Sequence, residues 1–88
     1  MRKKLHEKIK NYLNEYLEET RKERNITREE MSEHLCMDIR SYSYLKQGKY
    51  NFSLVTFLLL LWELGDRKFD VIEDLMYIIS KNKNDSGK

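Results

Sequence analysis

Two short apolar stripes near the middle of the sequence limit the folds that this chain can adopt. Met31 and Leu35 are four residues apart and would share one helical face, whereas Tyr42 and Leu45 are three apart and would share another. Met37 lies between the two pairs, where a side chain is needed to fill a corner, and with it the five apolar residues fit no single long helix. The pattern predicts two short helices that fold against each other across a tight turn, with the second held out from the body.

Polar residues at the ends of these two helices have the spacing of helix caps. Thr27 and Glu30 are typical of a capping box and would open the first helix. Asp38 would cap the second helix, which Gly48 would end. Cys36 would then lie in the corner between the two helices.

Helical patterns also flank the two short helices. Apolar residues recur at spacings of three and four in the amino-terminal segment, and Ser53 and Gly65 bracket a strongly apolar segment further on. We therefore expect three more helices, over about residues 4–24, 54–64 and 68–80. With no strand pattern, the chain is predicted to be all-α, with one domain over residues 1–80 because so short a chain cannot hold two cores. Residues 81–88 are predicted to form a polar, disordered tail.

Charged residues are distributed unevenly along the chain. The formal net charge is only +2, but basic residues crowd the first ten positions and return in the second short helix and its exit as Arg40, Lys46 and Lys49. Acidic residues gather in residues 15–23 and 63–74. We therefore expect a basic patch beside the protruding helix, as in proteins with an anionic partner.

Cysteine use and hydropathy bear on the cellular compartment. The lone Cys36 cannot form an internal disulfide, which suits a reducing cytosol. The basic start leads into an amphipathic pattern instead of a signal-like apolar run, and the apolar stretch over residues 54–62 is too short to span a bilayer. We therefore expect a cytoplasmic protein that binds no membrane.

The two short helices and their neighbours resemble the helix-turn-helix of the phage-repressor and Cro superfamily, often called Xre-like, over roughly residues 17–65. Where that family shows Leu-Thr-Gln-x-x-Leu-Ala-x-x-Leu-Gly-Val-Ser, residues 26–38 read Ile-Thr-Arg-Glu-Glu-Met-Ser-Glu-His-Leu-Cys-Met-Asp. Where it shows Ile-Ser-x-Ile-Glu-x-Gly, residues 42–48 read Tyr-Ser-Tyr-Leu-Lys-Gln-Gly, and residues 53–58 match the family's later segment. The resemblance implies a five-helix, lambda-repressor-like helix-turn-helix domain, here with an extended first helix.

Four positions depart from the family pattern. Arg28 replaces a glutamine that contacts phosphate in many members, and an arginine can still meet phosphate. Lys46 replaces a common glutamate and makes the exposed helix more basic. Cys36 replaces a glycine at the corner, where a positive φ would strain it, and Phe52 replaces a common proline. Because the core positions match, we expect the fold to be retained.

By this resemblance, the second short helix is the one that reads DNA bases. Arg40 would pair with guanine and Gln47 with adenine, while Ile39 would touch a thymine methyl group. The expected base-reading residues are Ile39, Arg40, Ser43, Tyr44 and Gln47. The expected phosphate-binding residues flank that helix and are Arg28, Lys46, Lys49, Tyr50 and Asn51. The alternative is that both sets are ordinary solvated surface, which an exposed isoleucine and tyrosine do not favour.

The segment over residues 54–64 carries more apolar side chains than one core face needs. The core face is expected to consist of Leu54, Phe57, Leu58, Leu61 and Leu64, which leaves a second apolar face. The last helix has a similar surplus. The residues expected to meet a partner are Val55, Leu59, Trp62, Phe69, Ile72, Met76 and Ile79. We predict a homodimer through this face, and the alternatives are a toxin protein or cover by another helix of the same chain.

Residues that could support catalysis or metal binding are scattered. Residues 43–46 spell Ser-x-x-Lys, but the partner motifs of such enzymes are absent from the sequence. His34 and Cys36 fall short of the four ligands of a zinc site. We therefore expect no enzyme activity, no metal and no cofactor.

Three functions fit these expectations, and one leads. The leading hypothesis is a sequence-specific DNA-binding transcriptional regulator, expected to be a repressor, that inserts its protruding helix into the major groove of double-stranded DNA as a dimer. The first alternative is the antitoxin of a toxin–antitoxin pair, with the surplus apolar face bound to the toxin. The second is a protein-interaction module that has lost DNA binding, against which Arg28 and Lys46 argue because both keep or raise the positive charge.

Overall fold

The helices occupy most of the chain. The computed structural model describes residues 2–86, with the side chains of residues 4–83. Its elements are α1 (Arg2–Arg24), α2 (Arg28–His34), α3 (Ile39–Lys46), α4 (Leu54–Leu64), a 3-10 turn at Gly65–Arg67, and α5 (Lys68–Ser86). The described part of the chain contains no strand, so the all-α class is confirmed.

The predicted helix caps are present in α2, α3 and α4. The Glu30 backbone N–H donates to Thr27 Oγ1 at 3.1 Å, and the Thr27 N–H donates to Glu30 Oε1 at 2.8 Å, which completes the capping box. Asp38 Oδ1 accepts from the Ser41 N–H at 2.7 Å. Ser53 Oγ caps α4 in the same way. These bonds satisfy N–H groups that the first turn of a helix leaves without a partner, and they fix where each helix begins.

Two connections contain a non-glycine residue with left-handed backbone. Asn25 ends α1 with φ 57°, and asparagine tolerates this conformation well. Cys36 stands in the corner between α2 and α3 with φ 58°, as expected if it occupies a position suited to glycine. The corner is therefore sharp enough to fold the two short helices against each other.

One hydrophobic core receives side chains from each of α1 to α5. The four stripe residues of the sequence, which belong to α2, its carboxyl-terminal cap and α3, are all buried in this core. Met37 packs against the core from the corner, as predicted, and the small Ser32 of α2 is also buried. The remaining buried apolar residues are Leu13, Leu17, Leu60, Leu61, Leu64, Val71 and Leu75.

The predicted core face of α4 is partly wrong. Leu54 and Leu58 are 72% and 53% exposed, whereas Leu60, which the prediction left out, is completely buried. An almost uniformly apolar helix offers no contrast between its faces, so periodicity could not identify the buried one. Thr56 is also buried, beside the Ser53 cap to which its backbone and side chain bond.

Helix α5 is longer than the sequence predicted. It continues past Ser80 to Ser86, so residues 81–86 of the predicted disordered tail are helical. Residues 87 and 88 of that tail lie outside the described residues. No proline follows Ser80 in the sequence, and polar residues can extend a helix once it is nucleated. Between residues 2 and 86, none of the helices combines the length and apolar character that crossing a membrane requires.

Candidate functional site

Helix α3 divides its residues between a buried face and an outer face. Tyr42 and Leu45 anchor it in the core. The five residues predicted to read bases lie on α3 and at its carboxyl-terminal cap: Ile39, Arg40 and Gln47 are exposed, while Ser43 and Tyr44 are half-buried. A helix anchored in this way presents its outer residues at fixed positions.

The carboxyl end of α3 carries an aromatic and cationic cluster formed by Tyr44, Lys49 and Tyr50. The rings of Tyr44 and Tyr50 meet edge to face with centroids 5.2 Å apart, and Lys49 Nζ lies 5.2 Å from the Tyr44 ring centroid. The Lys49 N–H donates to the Tyr44 carbonyl at 2.9 Å, which folds the following loop back onto the helix. Tyr50, Lys49 and the next residue, Asn51, remain exposed. The cluster places a positive charge and hydrogen-bonding side chains beside the outer face of α3.

Two other predicted phosphate-binding residues contact a carboxylate of α1. Glu18 lies 3.5 Å from an Arg28 guanidinium nitrogen and 3.7 Å from Lys46 Nζ, and it accepts a 2.6 Å hydrogen bond from Arg21 Nε. We call Glu18, Arg21, Arg28 and Lys46 the Glu18 cluster. The Lys46 side chain is only 13% exposed, whereas that of Arg28 is 57% exposed. Lys46 therefore points inward, contrary to what a free phosphate ligand requires.

Opposing effects set the ionisation of the Glu18 cluster. Burial acts to raise the pKa of Glu18, but the Arg21 hydrogen bond and the surrounding positive charges outweigh it, so the pKa lies below its ordinary value. Burial lowers the pKa of Lys46, and the nearby carboxylate offsets this only in part. The lowered pKa of Glu18 favours its carboxylate, whereas the lowered pKa of Lys46 disfavours its ammonium.

Helix α1 braces the carboxyl end of α3 at three further points. Lys10 Nζ donates to the Gly48 carbonyl at 2.9 Å, and Asn14 Nδ2 donates to the Leu45 carbonyl at 3.2 Å. Lys46 Nζ in turn donates to the Asn14 carbonyl at 2.9 Å. The first two bonds reach backbone carbonyl groups in the last turn of α3 and just after it, and the third reaches a carbonyl group of α1. The position of α3 therefore depends on α1 as well as on the hydrophobic core.

Five of the seven residues predicted to meet a partner are exposed on α4 and α5. Trp62 is 80% exposed, and Val55, Phe69, Ile72 and Met76 are also exposed. Leu59 and Ile79 are partly buried, and Leu59 packs against the core. The exposed set also includes residues outside the prediction, namely Leu54, Leu58 and Tyr77. We call the exposed apolar residues of α4 and α5 the apolar surface; no helix within the described part of the chain covers them.

A groove adjoins the apolar surface. Its volume is about 470 Å³, and it lies between α1, the loop before α4, the first turn of α4, and α5. Most of its lining is apolar, and it shares Leu54 and Met76 with the apolar surface. The two features are therefore continuous.

Side chains with catalytic or metal-binding chemistry serve other contacts. His34 Nδ1 lies 2.9 Å from Glu63 Oε1, and Arg24 also pairs with Glu63, which joins α1 and α2 to the end of α4. Cys36 is exposed and carries a free thiol. Among the described residues, no group of three or more histidine, cysteine, aspartate or glutamate side chains could hold a metal ion.

Comparison of the chain with protein-family models, with curated proteins and with solved structures finds no match in any of the three.

Proposed function

We propose that this protein is a sequence-specific DNA-binding transcriptional regulator of the helix-turn-helix class, in which α2 and α3 form the DNA-binding unit and α3 enters the major groove. The observation that carries the proposal is the division of α3 into a face locked in the core and an outer face that bears Arg40 and Gln47. The lambda-repressor-like architecture inferred from the sequence is part of this proposal.

Each exposed residue of α3 has a base edge that it suits. The Arg40 guanidinium can bond O6 and N7 of guanine together, and the Gln47 amide can bond N6 and N7 of adenine. Ile39 can contact a thymine methyl group, which gives this exposed apolar side chain a partner. Ser43 can donate to or accept from a base or phosphate.

Phosphate contacts come from the residues that follow α3. Lys49 supplies a charge, while Tyr50 and Asn51 supply hydrogen-bond donors, and all three are exposed beside the reading face. This set is narrower than the sequence-based one, because Arg28 and Lys46 contact Glu18.

We propose further that the protein acts as a homodimer through the apolar surface. A single α3 of eight residues reaches only a few base pairs, and a two-fold dimer presents two such helices to a palindromic site. An exposed tryptophan, phenylalanine and methionine on adjoining helices are typical of a protein interface. Occupancy of the site would then repress transcription by occluding polymerase.

The apolar surface also favours a second candidate, the antitoxin of a toxin–antitoxin pair. In that case a toxin, and not a second copy, would cover Trp62 and its neighbours. A neighbouring gene that encodes a small basic toxin would favour this candidate, and a stable dimer of the isolated protein would favour self-association.

The proposal is tested by duplex binding in a salt titration. Several phosphate contacts should make the affinity fall steeply with salt, with a log–log slope of about −0.9 per contact. The operator would be found by selection from a random duplex library, and a second duplex of scrambled sequence would measure sequence-independent binding. Absence of salt-dependent binding at low salt would reject the proposed function.

Arg40→Ala tests the assignment of the reading face. The variant should lose discrimination at one base position by about 1–3 kcal/mol, because it loses a bidentate contact with a base. Lys49→Ala is the matched control: it should weaken binding to all sequences alike and reduce the salt slope by about 1. If Arg40→Ala keeps the sequence preference of the parent, Arg40 does not read a base.

A further inference from the structure

Glu18 contacts positive charges from three helices at once. Arg21 belongs to α1, Arg28 opens α2, and Lys46 ends α3. The Glu18 side chain is mostly buried, so salt in the solvent screens these contacts less than it would screen surface pairs. The carboxylate therefore offsets part of the positive charge at the base of the proposed DNA-binding unit.

The positions of Arg28 and Lys46 would otherwise suit phosphate contact. A basic residue in the first turn of α2 and another in the last turn of α3 both flank the reading face. Here Lys46 directs its ammonium to Glu18 and to the Asn14 carbonyl. The Arg28 side chain is partly exposed to solvent, but its guanidinium also contacts the same carboxylate.

Sequence-independent affinity for DNA depends on how many cations neutralise phosphates, whereas base contacts decide sequence preference. Resting on the proposed function, we propose that Glu18 is a positioning residue that withholds Arg28 and Lys46 from the phosphate backbone and so limits sequence-independent DNA binding. Through the same contacts, Glu18 links the start of α2 and the end of α3 to α1.

Glu18→Gln removes the charge and keeps an amide oxygen that can still accept from Arg21 Nε. Freed from the carboxylate, the two basic side chains should reach phosphate. Binding to a duplex of scrambled sequence at about 50 mM salt should strengthen about tenfold for each cation released, and the log–log salt slope should steepen by about 0.9 for each. Loss of fold alone would weaken binding, so this gain separates the proposed role from a merely structural one.

Glu19→Gln is the matched control. Glu19 is the exposed neighbour of Glu18 on α1, and the substitution changes the net charge of the protein equally. Its salt slope should stay near that of the parent. Equal slopes for the Glu18→Gln and Glu19→Gln variants would overturn the inference. In the double variant Glu18→Gln with Arg28→Gln, the salt slope should be shallower than in Glu18→Gln by the value of about one phosphate contact.

Arg28→Gln in the parent background tests the inference without disturbing Glu18. If Arg28 is withheld from phosphate, this variant should keep the salt slope of the parent. A slope shallower by about 1 would show that Arg28 already contacts DNA and would overturn the inference while leaving the proposed function intact. Absence of duplex binding by the parent and all variants would instead reject the proposed function, and the inference with it.

Discussion

Tyr42 is fully buried, and its side chain anchors α3 in the core. Its hydroxyl, however, has no hydrogen-bond partner among the described residues. Burial, reinforced by the charge of Glu18, raises the pKa of Tyr42 to about 12, although Arg21 and Arg28 act in the opposite direction. A buried hydroxyl without a partner costs stability that a phenylalanine of the same shape would not.

We therefore expect Tyr42→Phe to raise the free energy of unfolding by about 1 kcal/mol, as measured by urea denaturation at neutral pH. Tyr50→Phe is the control, and it should change little because Tyr50 is exposed. A clear loss of stability in the Tyr42→Phe variant would mean that the hydroxyl makes a favourable contact.

The difference in unfolding free energy between the parent and the Tyr42→Phe variant should depend on pH. The folded state holds the Tyr42 pKa at about 12, above the ordinary value of 10.0, so it favours the neutral phenol. That contribution is complete below pH 10 and is lost as pH rises towards the folded pKa. The advantage of the phenylalanine variant should accordingly widen in urea titrations above pH 10.

Residue-level contacts differ in how far the sequence predicts them. The Thr27–Glu30 box depends on residues three positions apart, so local spacing is enough to predict it. Lys10 and Gly48 are 38 positions apart, and Lys46 and Asn14 are 32 apart. Such contacts depend on how helices pack, which one sequence does not specify; the only local sign of the Glu18 cluster was an acid three residues before Arg21.

At the level of elements, α2 and α3 contain only seven and eight residues. Helices of this length are not stable alone in water, so they depend on caps and on packing. Their beginnings could be predicted from the capping residues. The buried face of α4 could not, because apolar side chains surround that helix and only the packed structure selects Leu60 over Leu54 and Leu58.

The dependence of α2 on its cap can be measured. Thr27→Ala should lower the free energy of unfolding by about 1 kcal/mol, because the Glu30 N–H loses its acceptor. Thr27→Ser keeps the hydroxyl and should retain most of the stability. Thermal denaturation followed by circular dichroism compares the three proteins; equal midpoints for parent and alanine variant would show that packing alone holds α2.

At the level of the whole molecule, the apolar surface is the feature that a monomer leaves unexplained. Its exposed residues lie on both α4 and α5, and its most exposed large side chain is Trp62. The sequence predicted a surplus of apolar residues here, and the structure shows which of them are exposed.

Trp62→Glu should convert the proposed dimer to a monomer, because it places a charge where apolar side chains would otherwise meet. Sedimentation velocity of the parent and the variant measures this change, and Trp62→Phe, which stays apolar, should remain dimeric. A dimeric parent whose sedimentation is unaffected by Trp62→Glu would exclude this interface. A monomeric parent would exclude the homodimer and favour a different protein as the partner of the apolar surface.

Helix α1 bears on the spacing of the two DNA half-sites that such a dimer would bind. It is bonded to the end of α3 through Lys10 and Asn14, and to α5 through Tyr12, whose hydroxyl donates to Asp74 at 2.6 Å. One continuous helix thus joins the proposed reading face to α5, on the side that would meet a second copy. A dimer built in this way would fix the spacing between two operator half-sites, so that one added or missing base pair would weaken binding.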